Sequence, residues 1–267
     1  MIEVKPGAGN CPALSEVAIN HYFARAVLEG LAPGRLWLDD ASSPLAAHVL
    51  HDYGMALIWG DERALAPIVE HVRAGRYRER DEWLQIDPRW THLDWDKRLN
   101  AVSGGTGPHA QRFTRVNFRF DKSLFLERHA ELSPPGGWSL RAMGEQDFDL
   151  AEIDVTPRAF WRDAAQFLAH GGGVCAVKDD EVGAIAFSSF RFDDILEIGI
   201  ETRPAFRGQG LARATAVALI RQCLAARLEP VWSCRKENTA SYMLAQNLGF
   251  VPTKELPYYR LPALPLT

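Results

Sequence analysis

The stretch TRPAFRGQGLARATAVALIRQCLAA, residues 202–226, decides the fold of the second half of the chain. A strand-like run ends at Thr202, a turn with two glycines follows, and an alanine- and leucine-rich helix pattern begins. Glycines let backbone N–H groups approach a ligand closely, and the unpaired N–H groups of a first helical turn carry partial positive charge. The stretch therefore predicts either a diphosphate site or a helix start built for tight packing.

Two phosphate-binding motifs do not fit this turn. The nucleotide P-loop requires Lys-Ser or Lys-Thr after its last glycine, and the dinucleotide fingerprint requires a third glycine where this chain has Arg213. Residues 203–236 nevertheless contain seven basic residues and one acidic residue, Glu229. This local charge favours a small anionic ligand, although each arginine taken alone is expected on a solvated face.

The overall composition is that of an ordinary globular protein. The 267 residues are 47% hydrophobic, and the net charge of −4 argues against a general nucleic-acid partner. No run approaches the ~18 apolar residues of a membrane span, and the N-terminus lacks the pattern of a signal peptide. We therefore expect a cytoplasmic protein with no membrane partner. The four cysteines lack metal-ligand spacing, so no metal is expected.

SPPGGWS, residues 133–139, is the clearest break in the chain and predicts a domain boundary. It separates an N-terminal α/β domain, residues 1–133, from a C-terminal domain, residues 134–267. In the first domain, SEVAINHYFARAVLEG is predicted as a helix capped by Ser15. SPLAAHVLHD is predicted as another helix, because Ser43 can cap it and the following proline suits a first helical turn.

The second half predicts strands and helices in a mixed order. Strands are expected at residues 138–143, 174–178, 182–192, 195–202 and 230–234, with a closing strand pair near residues 250 and 258–261. Helices are expected at residues 145–153, 157–170, 210–227 and 239–248. A strand meander followed by alternating strands and helices predicts an α+β fold with mixed strand directions.

A second motif follows the glycine turn in a specific order. RGQGLA fits [Q/R]-x-x-G-x-[G/A] through Arg207, Gly210 and Ala212, and NTASYMLAQNLGF, with Asn238 as helix cap, comes after the next strand. This arrangement resembles the GNAT superfamily of acetyl-CoA-dependent N-acetyltransferases from residue 138 onward. The resemblance implies a mixed, largely antiparallel GNAT sheet with helices on both faces. The first half resembles the smaller, GNAT-like α/β domain that precedes the catalytic domain in two-part members.

The resemblance implies acetyl-CoA as co-substrate and indicates which residues would bind it. The backbone amides of the glycine turn would hold the diphosphate; these belong to Arg207, Gly208, Gln209, Gly210, Leu211, Ala212 and Arg213. The pantetheine arm would pair with the end of the preceding strand, at Ile200, Glu201 and Thr202, where that strand splays from PVWSC. Asn238 and Ser241 of the second motif would fix the pantetheine region, and Asn238 is also a plain helix cap.

The resemblance leaves the general acid open. Many GNAT enzymes carry a tyrosine seven residues after the motif asparagine, as proton donor to the leaving thiolate. Ala245 occupies that position here. Tyr242, Ser241 and Cys234 are the other candidate donors, and a thiolate needs little acid assistance, since a free thiol has a pKa of about 8.5.

The general base is one of two glutamates. Glu197 and Glu201 lie four residues apart on the strand beside the cofactor, so they share one face of that strand. Either could take the proton that an ammonium substrate must lose before it attacks the thioester. The alternative is that one or both are solvated strand residues or hold arginines.

Three hypotheses about function follow. The first is an N-acetyltransferase that moves acetyl from acetyl-CoA to a primary amine of a small molecule or peptide by direct attack in a ternary complex. The second is a non-catalytic acyl-CoA-binding sensor or scaffold, which Ala245 favours. The third makes the first half a specificity module with Trp83, Trp90 and Trp95 as its recognition surface, although large aromatics are usually core. A homodimer is left open.

Overall fold

The computed structural model of the protein describes residues 1–7, 11–100, 109–131 and 134–264. The chain divides into two compact units, unit 1 (Met1–Asn117, Arg235–Glu237 and Lys254–Thr267) and unit 2 (Phe118–Cys234 and Asn238–Thr253). The predicted domain boundary at Ser133 lies outside the described residues and stays a prediction. Within the described ranges, no helix has the length and apolar character needed to cross a membrane.

The chain forms thirteen strands and seven α-helices within these described ranges. The first half contains β1 (Ile2–Val4), α1 (Tyr22–Leu28), β2 (Gly34–Leu38), β3 (Ala46–His51), β4 (Met55–Gly60), α2 (Leu65–Ala74), β5 (Glu82–Ile86), α3 (Trp95–Asn100), β6 (Gln111–Phe120) and α4 (Lys122–Arg128). The second half contains β7 (Ser139–Ala142), α5 (Ala164–His170), β8 (Gly173–Lys178), β9 (Glu181–Phe192), β10 (Ile195–Thr202), α6 (Leu211–Ala225), β11 (Glu229–Val231), β12 (Ser233–Arg235), α7 (Thr239–Asn247) and β13 (Phe250–Leu261).

Unit 1 is built on an antiparallel sheet with one parallel strand. Strands β1 to β4 are antiparallel neighbours, β5 lies parallel to β4, and the last four residues of β13 add antiparallel to β5. Ile68 of α2 packs with Trp90, Trp95 and Tyr259 in the core of this unit. Trp90 and Trp95 are therefore core residues, and the hypothesis that they form a recognition surface is wrong for both.

Unit 2 repeats this order of elements. Strands β7 to β10 are antiparallel neighbours, α6 follows, and β11 lies parallel to β10 at the edge. Val217 of α6 packs with Leu196 of β10 on one face of the sheet. On the other face, the Phe167 ring of α5 contacts the Phe187 ring of β9. The predicted α+β class, with largely antiparallel mixed sheets and helices on both faces, is confirmed.

The segment SPLAAHVLHD is a strand, so the helix predicted there is wrong. Ser43 lies in a turn, where Ser42 N and Ser43 N both donate to Asp40 Oδ1 at 2.8 Å. Asp39 Oδ1 accepts from Leu45 N and Ala46 N, also at 2.8 Å. These two aspartates compete for the backbone amides and turn the chain back, so β3 pairs between β2 and β4.

Several other predicted elements are shorter or divided. The first helix begins only at Tyr22, and residues 145–153 contain a single 3₁₀ turn, Glu145–Asp147. The helix predicted at residues 157–170 begins at Ala164, after Asp163 caps it by accepting from Gln166 N at 2.7 Å. The predicted closing strand pair is the single strand β13, and residues 230–234 divide between β11 and β12.

A buried ionic group stabilises unit 1. The Glu82 carboxylate accepts hydrogen bonds from Tyr77 Oη at 2.8 Å and Arg78 Nε at 3.0 Å, and His48 Nε2 lies 3.1 Å from its other oxygen. Burial alone would raise the pKa of Glu82, but its interactions with His48 and Arg78 hold that pKa at about 2. The carboxylate is therefore ionised at neutral pH.

We expect Glu82→Gln to lower the free energy of unfolding at pH 7 by about 3 to 5 kcal/mol, because Arg78 loses its counter-charge in a buried site. The folded-state pKa of Glu82 is depressed, so its contribution is complete above the unfolded-state pKa and is lost as the pH falls towards 2. Urea unfolding at pH 7 and pH 3 measures both effects.

The matched control for this variant is Glu29→Gln. Glu29 pairs with Arg25 at 2.6 Å on the surface of α1 and its side chain is 42% exposed. Loss of this ion pair should change the urea midpoint of unfolding only slightly, because exposed ion pairs contribute little to the free energy of unfolding. Equal stability of Glu82→Gln and the wild type at pH 7 would contradict the role assigned to Glu82.

Candidate functional site

The site begins where strand β10 separates from its parallel neighbour. β10 pairs with β11 only as far as Glu197, which lies opposite Val231, whereas its pairing with β9 continues to Thr202. The strand order is β11-β10-β9-β8-β7, so within the described residues no strand pairs with the outer edge of β10 beyond Glu197. β12 begins at Ser233 and is not part of this sheet. The predicted splay therefore lies at residues 198–202.

The glycine turn follows directly at the end of β10. Residues Pro204–Phe206 form a 3₁₀ turn, and Gly208 and Gly210 both adopt φ of +81°. An added methyl group at Gly208 would meet nothing within 4 Å, so the backbone is open on that side. Gly210 is the N-cap of α6 and has no side chain to cap the first-turn amides. Within the part of the chain that the structure describes, no side chain caps this helix start, so its first-turn N–H groups keep their partial positive charge.

A pocket of about 540 Å³ lies between the turn, the end of β10 and the start of α7. Its volume is typical of small-molecule sites. Eleven of the twelve residues predicted to bind the cofactor line it, and Gln209 is the exception. These lining residues are Ile200, Glu201, Thr202, Arg207, Gly208, Gly210, Leu211, Ala212, Arg213, Asn238 and Ser241.

The backbone of Thr202 faces this pocket. Arg203 N donates to Gly183 O at 2.9 Å on the β9 side, so the polar groups of Thr202 point away from β9. Thr202 N donates to Glu201 Oε1 at 3.1 Å, and Arg207 Nε donates to Thr202 O at 3.2 Å. Arg207 Nη2 also lies 3.2 Å from Glu201 Oε1. The Glu201 carboxylate therefore contacts both the glycine turn, through Arg207, and the end of β10, through Thr202 N.

The α7 side of the pocket is set by helix spacing. Asn238 caps α7 by accepting from Ser241 N at 3.2 Å, so the cap interpretation of Asn238 holds. Asn238, Ser241 and Leu244 follow one another at three-residue intervals and all line the pocket. Leu244 was not predicted from the sequence, although this spacing from Asn238 and Ser241 could have indicated it. Ala240 and Phe206, which were not predicted from the sequence either, complete the pocket.

The candidate proton donors lie in different surroundings. Ala245 is fully buried in the core of unit 2, so the position of the expected tyrosine faces away from solvent. Tyr242 packs against the same core with its ring 5.6 Å from that of Phe118, and Cys234 is buried there as well. Only Ser241 of the three candidates lines the pocket.

The two glutamates lie on the same face of β10 but have different neighbours. Leu196 and Ile198 pack in the α6 core, so Glu197 and Glu201 point to the opposite face. Between them, a methyl group at Gly199 would lie 2.6 Å from the Phe187 ring and 2.5 Å from Ser189 Oγ. These two side chains therefore fill the space over Gly199 and separate the carboxylates.

Glu197 lies at the point where the strands diverge. Its side chain is buried, and Ser233 Oγ donates to Glu197 Oε1 at 2.9 Å. On its other side, the register between β10 and β9 shifts between Glu197 and Ile198, which leaves Ser189 as an extra residue of β9. Such bulges increase local strand twist and often lie beside active sites.

The corresponding turn of unit 1, between β4 and α2, is closed. β4 and β5 stay paired to Ile58 and Ile86, and Asp87 N donates to Ile58 O at 2.9 Å. Asp61 caps the turn by accepting from Arg63 N at 2.9 Å, and the hydrogen bonds from Arg63 hold the pKa of Asp61 at about 2. This turn therefore presents an ionised carboxylate, whereas the described part of the unit 2 turn presents helix amides without a side-chain cap.

Sequence comparison matches the chain to an acetyltransferase family and to a curated N-acetyltransferase. The family model described as GNAT acetyltransferase matches residues 13–259. Among curated proteins, the chain is similar to the uncharacterized N-acetyltransferase YdfB of Bacillus subtilis (strain 168), with 25% identity over 242 residues, or 89% of each chain.

Solved structures share the fold of the chain. A GCN5-related N-acetyltransferase-like protein from Streptococcus suis 89/1591 matches with a TM-score of 0.69 and 24% identity, over 92% of this chain and 94% of its own. A tandem GNAT protein from the clavulanic acid biosynthesis pathway matches with a TM-score of 0.56 and 14% identity, over 91% of this chain and 87% of its own. At these identities the likeness concerns the fold alone.

Proposed function

The chain belongs to the GNAT acetyltransferase family and is an acyltransferase, and we propose that it transfers acetyl from acetyl-CoA to a primary amine of a small molecule or peptide. The observation that carries this proposal is the pocket of unit 2, where an uncapped helix start, two left-handed glycines and an unpaired strand edge converge. Among the described residues discussed above, no other site combines a place for an anion with a strand edge that lacks a neighbouring strand.

The residues of this pocket fit acetyl-CoA. The first-turn amides of α6, together with Arg207 and Arg213, would hold the diphosphate, because anions are favoured at a helix N-terminus. The polar backbone groups of Thr202 would exchange their present side-chain partners for the amides of the pantetheine arm. Asn238 and Ser241 would border the same arm on the α7 side.

Glu197 is the base in the proposed reaction. A substrate ammonium gives one proton to the Glu197 carboxylate, and the nitrogen lone pair then attacks the thioester carbonyl carbon. The C–N bond forms, and the C–S bond breaks with its electron pair on sulfur. Ser241 gives its hydroxyl proton to the thiolate, the second nitrogen proton restores the Ser241 hydroxyl, and Glu197 returns its proton to water. Glu201, which pairs with Arg207, supports the cofactor turn instead.

Ser241 is the proposed proton donor to sulfur. Trp232 Nε1 donates to Ser241 Oγ at 3.3 Å, which leaves the hydroxyl hydrogen of Ser241 available for donation. Direct attack in a ternary complex is further supported by the pocket lining, because none of its described residues is a cysteine that could form a covalent acyl intermediate.

We propose a small-molecule amine as the acceptor, because the net charge of −4 disfavours a nucleic-acid acceptor. We also propose a cytoplasmic location. A non-catalytic acyl-CoA sensor is the second candidate, favoured by Ala245 in place of the expected tyrosine. Release of free thiol from acetyl-CoA in the presence of an amine panel separates the two, since a sensor binds acetyl-CoA without amine-dependent release.

We expect isothermal titration calorimetry to show one acetyl-CoA bound per chain. Unit 2 offers the uncapped turn, whereas the ionised Asp61 would repel a diphosphate at the corresponding turn of unit 1. Binding of two equivalents would contradict the assignment of a closed turn in unit 1. Absence of binding would exclude both the enzyme and the sensor.

A further inference from the structure

Trp232 lies between β11 and β12, in the part of unit 2 where β10 has lost its parallel neighbour. It is 2% exposed and packs in the α6 core, with its ring centroid 5.6 Å from that of Phe250. The indole N–H of this buried ring has a partner, because Trp232 Nε1 donates to Ser241 Oγ at 3.3 Å. Trp232 therefore joins the core of unit 2 to a residue that lines the cofactor pocket.

The acceptor of this hydrogen bond differs from the acceptors of the other indoles. Each of the other indole N–H groups with a described hydrogen bond donates to a backbone carbonyl: Trp59 to Pro12, Trp95 to Trp90 and Trp161 to Ser188. A carbonyl satisfies a buried indole but carries no hydrogen of its own. Within the part of the chain that the structure describes, Trp232 is the one indole that donates to a hydroxyl. Its hydrogen bond can therefore orient a proton as well as satisfy the indole.

This hydrogen bond restricts where the hydroxyl hydrogen of Ser241 can point. An indole N–H is a donor only, so Ser241 Oγ accepts from Trp232 and its own hydrogen must point elsewhere. A hydroxyl in a helix often donates to a carbonyl of the preceding turn, as Thr215 Oγ1 does to Leu211 O at 3.1 Å in α6. Among the described residues, Ser241 bonds only to Trp232 through Oγ and to Asn238 through its backbone N. The hydroxyl hydrogen is therefore available on the side of α7 that lines the pocket.

We propose that Trp232 is a positioning residue that directs the Ser241 hydroxyl hydrogen into the cofactor pocket, towards the sulfur that leaves. The inference rests on the proposed function, in which Ser241 protonates the thiolate. Ser241 lies one helical turn before Ala245, the position of the expected tyrosine, and Ala245 is fully buried. The pair of Trp232 and Ser241 therefore supplies an oriented donor at the pocket where position 245 supplies none.

A double-mutant cycle tests whether Trp232 acts through Ser241. Trp232→Phe keeps an aromatic ring in the core but removes the donor, and thiol release at saturating acetyl-CoA, with ethylamine as the acceptor probe, measures kcat. Residues in one hydrogen-bond network are usually coupled, so we expect Trp232→Phe to lower kcat by about 3- to 30-fold. In a Ser241→Ala background the same substitution should change kcat by less than about twofold, because no hydroxyl remains to be oriented. The KM for acetyl-CoA should stay near its wild-type value, because Trp232 does not line the pocket.

Trp59→Phe is the matched control. Trp59 is fully buried in unit 1 and its Nε1 donates to Pro12 O at 3.0 Å, so this variant also loses an indole and its hydrogen bond. It should keep the wild-type kcat. Equal losses of kcat in Trp59→Phe and Trp232→Phe would overturn the inference, because a general packing defect would explain both. A loss in Trp232→Phe that is the same with and without the Ser241 hydroxyl would overturn it as well.

A second measurement uses only the wild type and Ser241→Ala and does not depend on turnover. In ¹⁵N-labelled protein the eight tryptophans give indole N–H resonances, and that of Trp232 is assigned through its side-chain connectivities. Ser241→Ala removes the acceptor and should shift this resonance, whereas that of Trp59, which donates to a backbone carbonyl, should stay in place. An unmoved Trp232 resonance would overturn the inference. If the resonance moves but the wild type acetylates no amine, the hydrogen bond stands, and the proposed function fails and the inference with it.

Discussion

Glu197→Gln is expected to lower kcat by about 10²- to 10⁴-fold, the usual contribution of a general base. Glutamine has the same shape as glutamate and can still accept the hydrogen bond from Ser233 Oγ, so the fold at the strand divergence should be kept. Because Glu197 lies outside the cofactor pocket, the Kd for acetyl-CoA should stay at its wild-type value. Thiol release at saturating amine and calorimetry with acetyl-CoA measure the two quantities.

Glu201→Gln is the comparison variant. It removes the ion pair with Arg207, whose side chain is 58% exposed, so we expect a modest rise in the Kd for acetyl-CoA and a small change in kcat. The reverse pattern, with Glu201→Gln inactive and Glu197→Gln unaffected, would transfer the base to Glu201. Full rates in both variants would remove both glutamates from the chemistry.

Gly210→Val is expected to weaken acetyl-CoA binding by about 5- to 150-fold. A β-branched residue at φ of +81° is strained by about 1 to 3 kcal/mol, and relief of that strain would reorient the first-turn amides of α6. Calorimetry with acetyl-CoA measures the change, and circular dichroism reports whether the helices persist.

Gly30→Val is the matched control. Gly30 has φ of +69°, follows α1 in unit 1, and an added methyl group there would meet nothing within 4 Å. This variant should lose similar stability but bind acetyl-CoA as the wild type does. Equal loss of affinity in both variants would mean that general destabilisation, not the turn, explains the effect.

Secondary structure is predicted most accurately where the local sequence signals and the tertiary packing favour the same element. The run from β10 through the glycine turn to α6 was predicted to within two residues, because strand alternation, glycine and helix pattern all point the same way. The order of the two motifs then indicates the family, and with it a splay at residues 200–202; in the structure the separation of β10 from β11 already starts after Glu197. Neither inference required knowledge of contacts between residues that are distant in the sequence.

The failures arose where one signal has two structural meanings. Ser43 and the proline after it suit a helix start, but they equally suit a turn, and the carboxylates of Asp39 and Asp40 decide for the turn. Four-residue spacing correctly placed Glu197 and Glu201 on one face of β10. It could not show that Phe187, from the neighbouring strand, separates them over Gly199. Contacts between strands are not encoded in the spacing along one of them.

A crystal structure of the complex with acetyl-CoA would show whether the glycine turn of unit 2 holds the diphosphate. We expect diphosphate oxygens within about 3 Å of the backbone nitrogens of residues 208–213, with the pantetheine arm paired to Thr202. A diphosphate bound at any other place, with the turn of unit 2 left without contact to it, would contradict the claim.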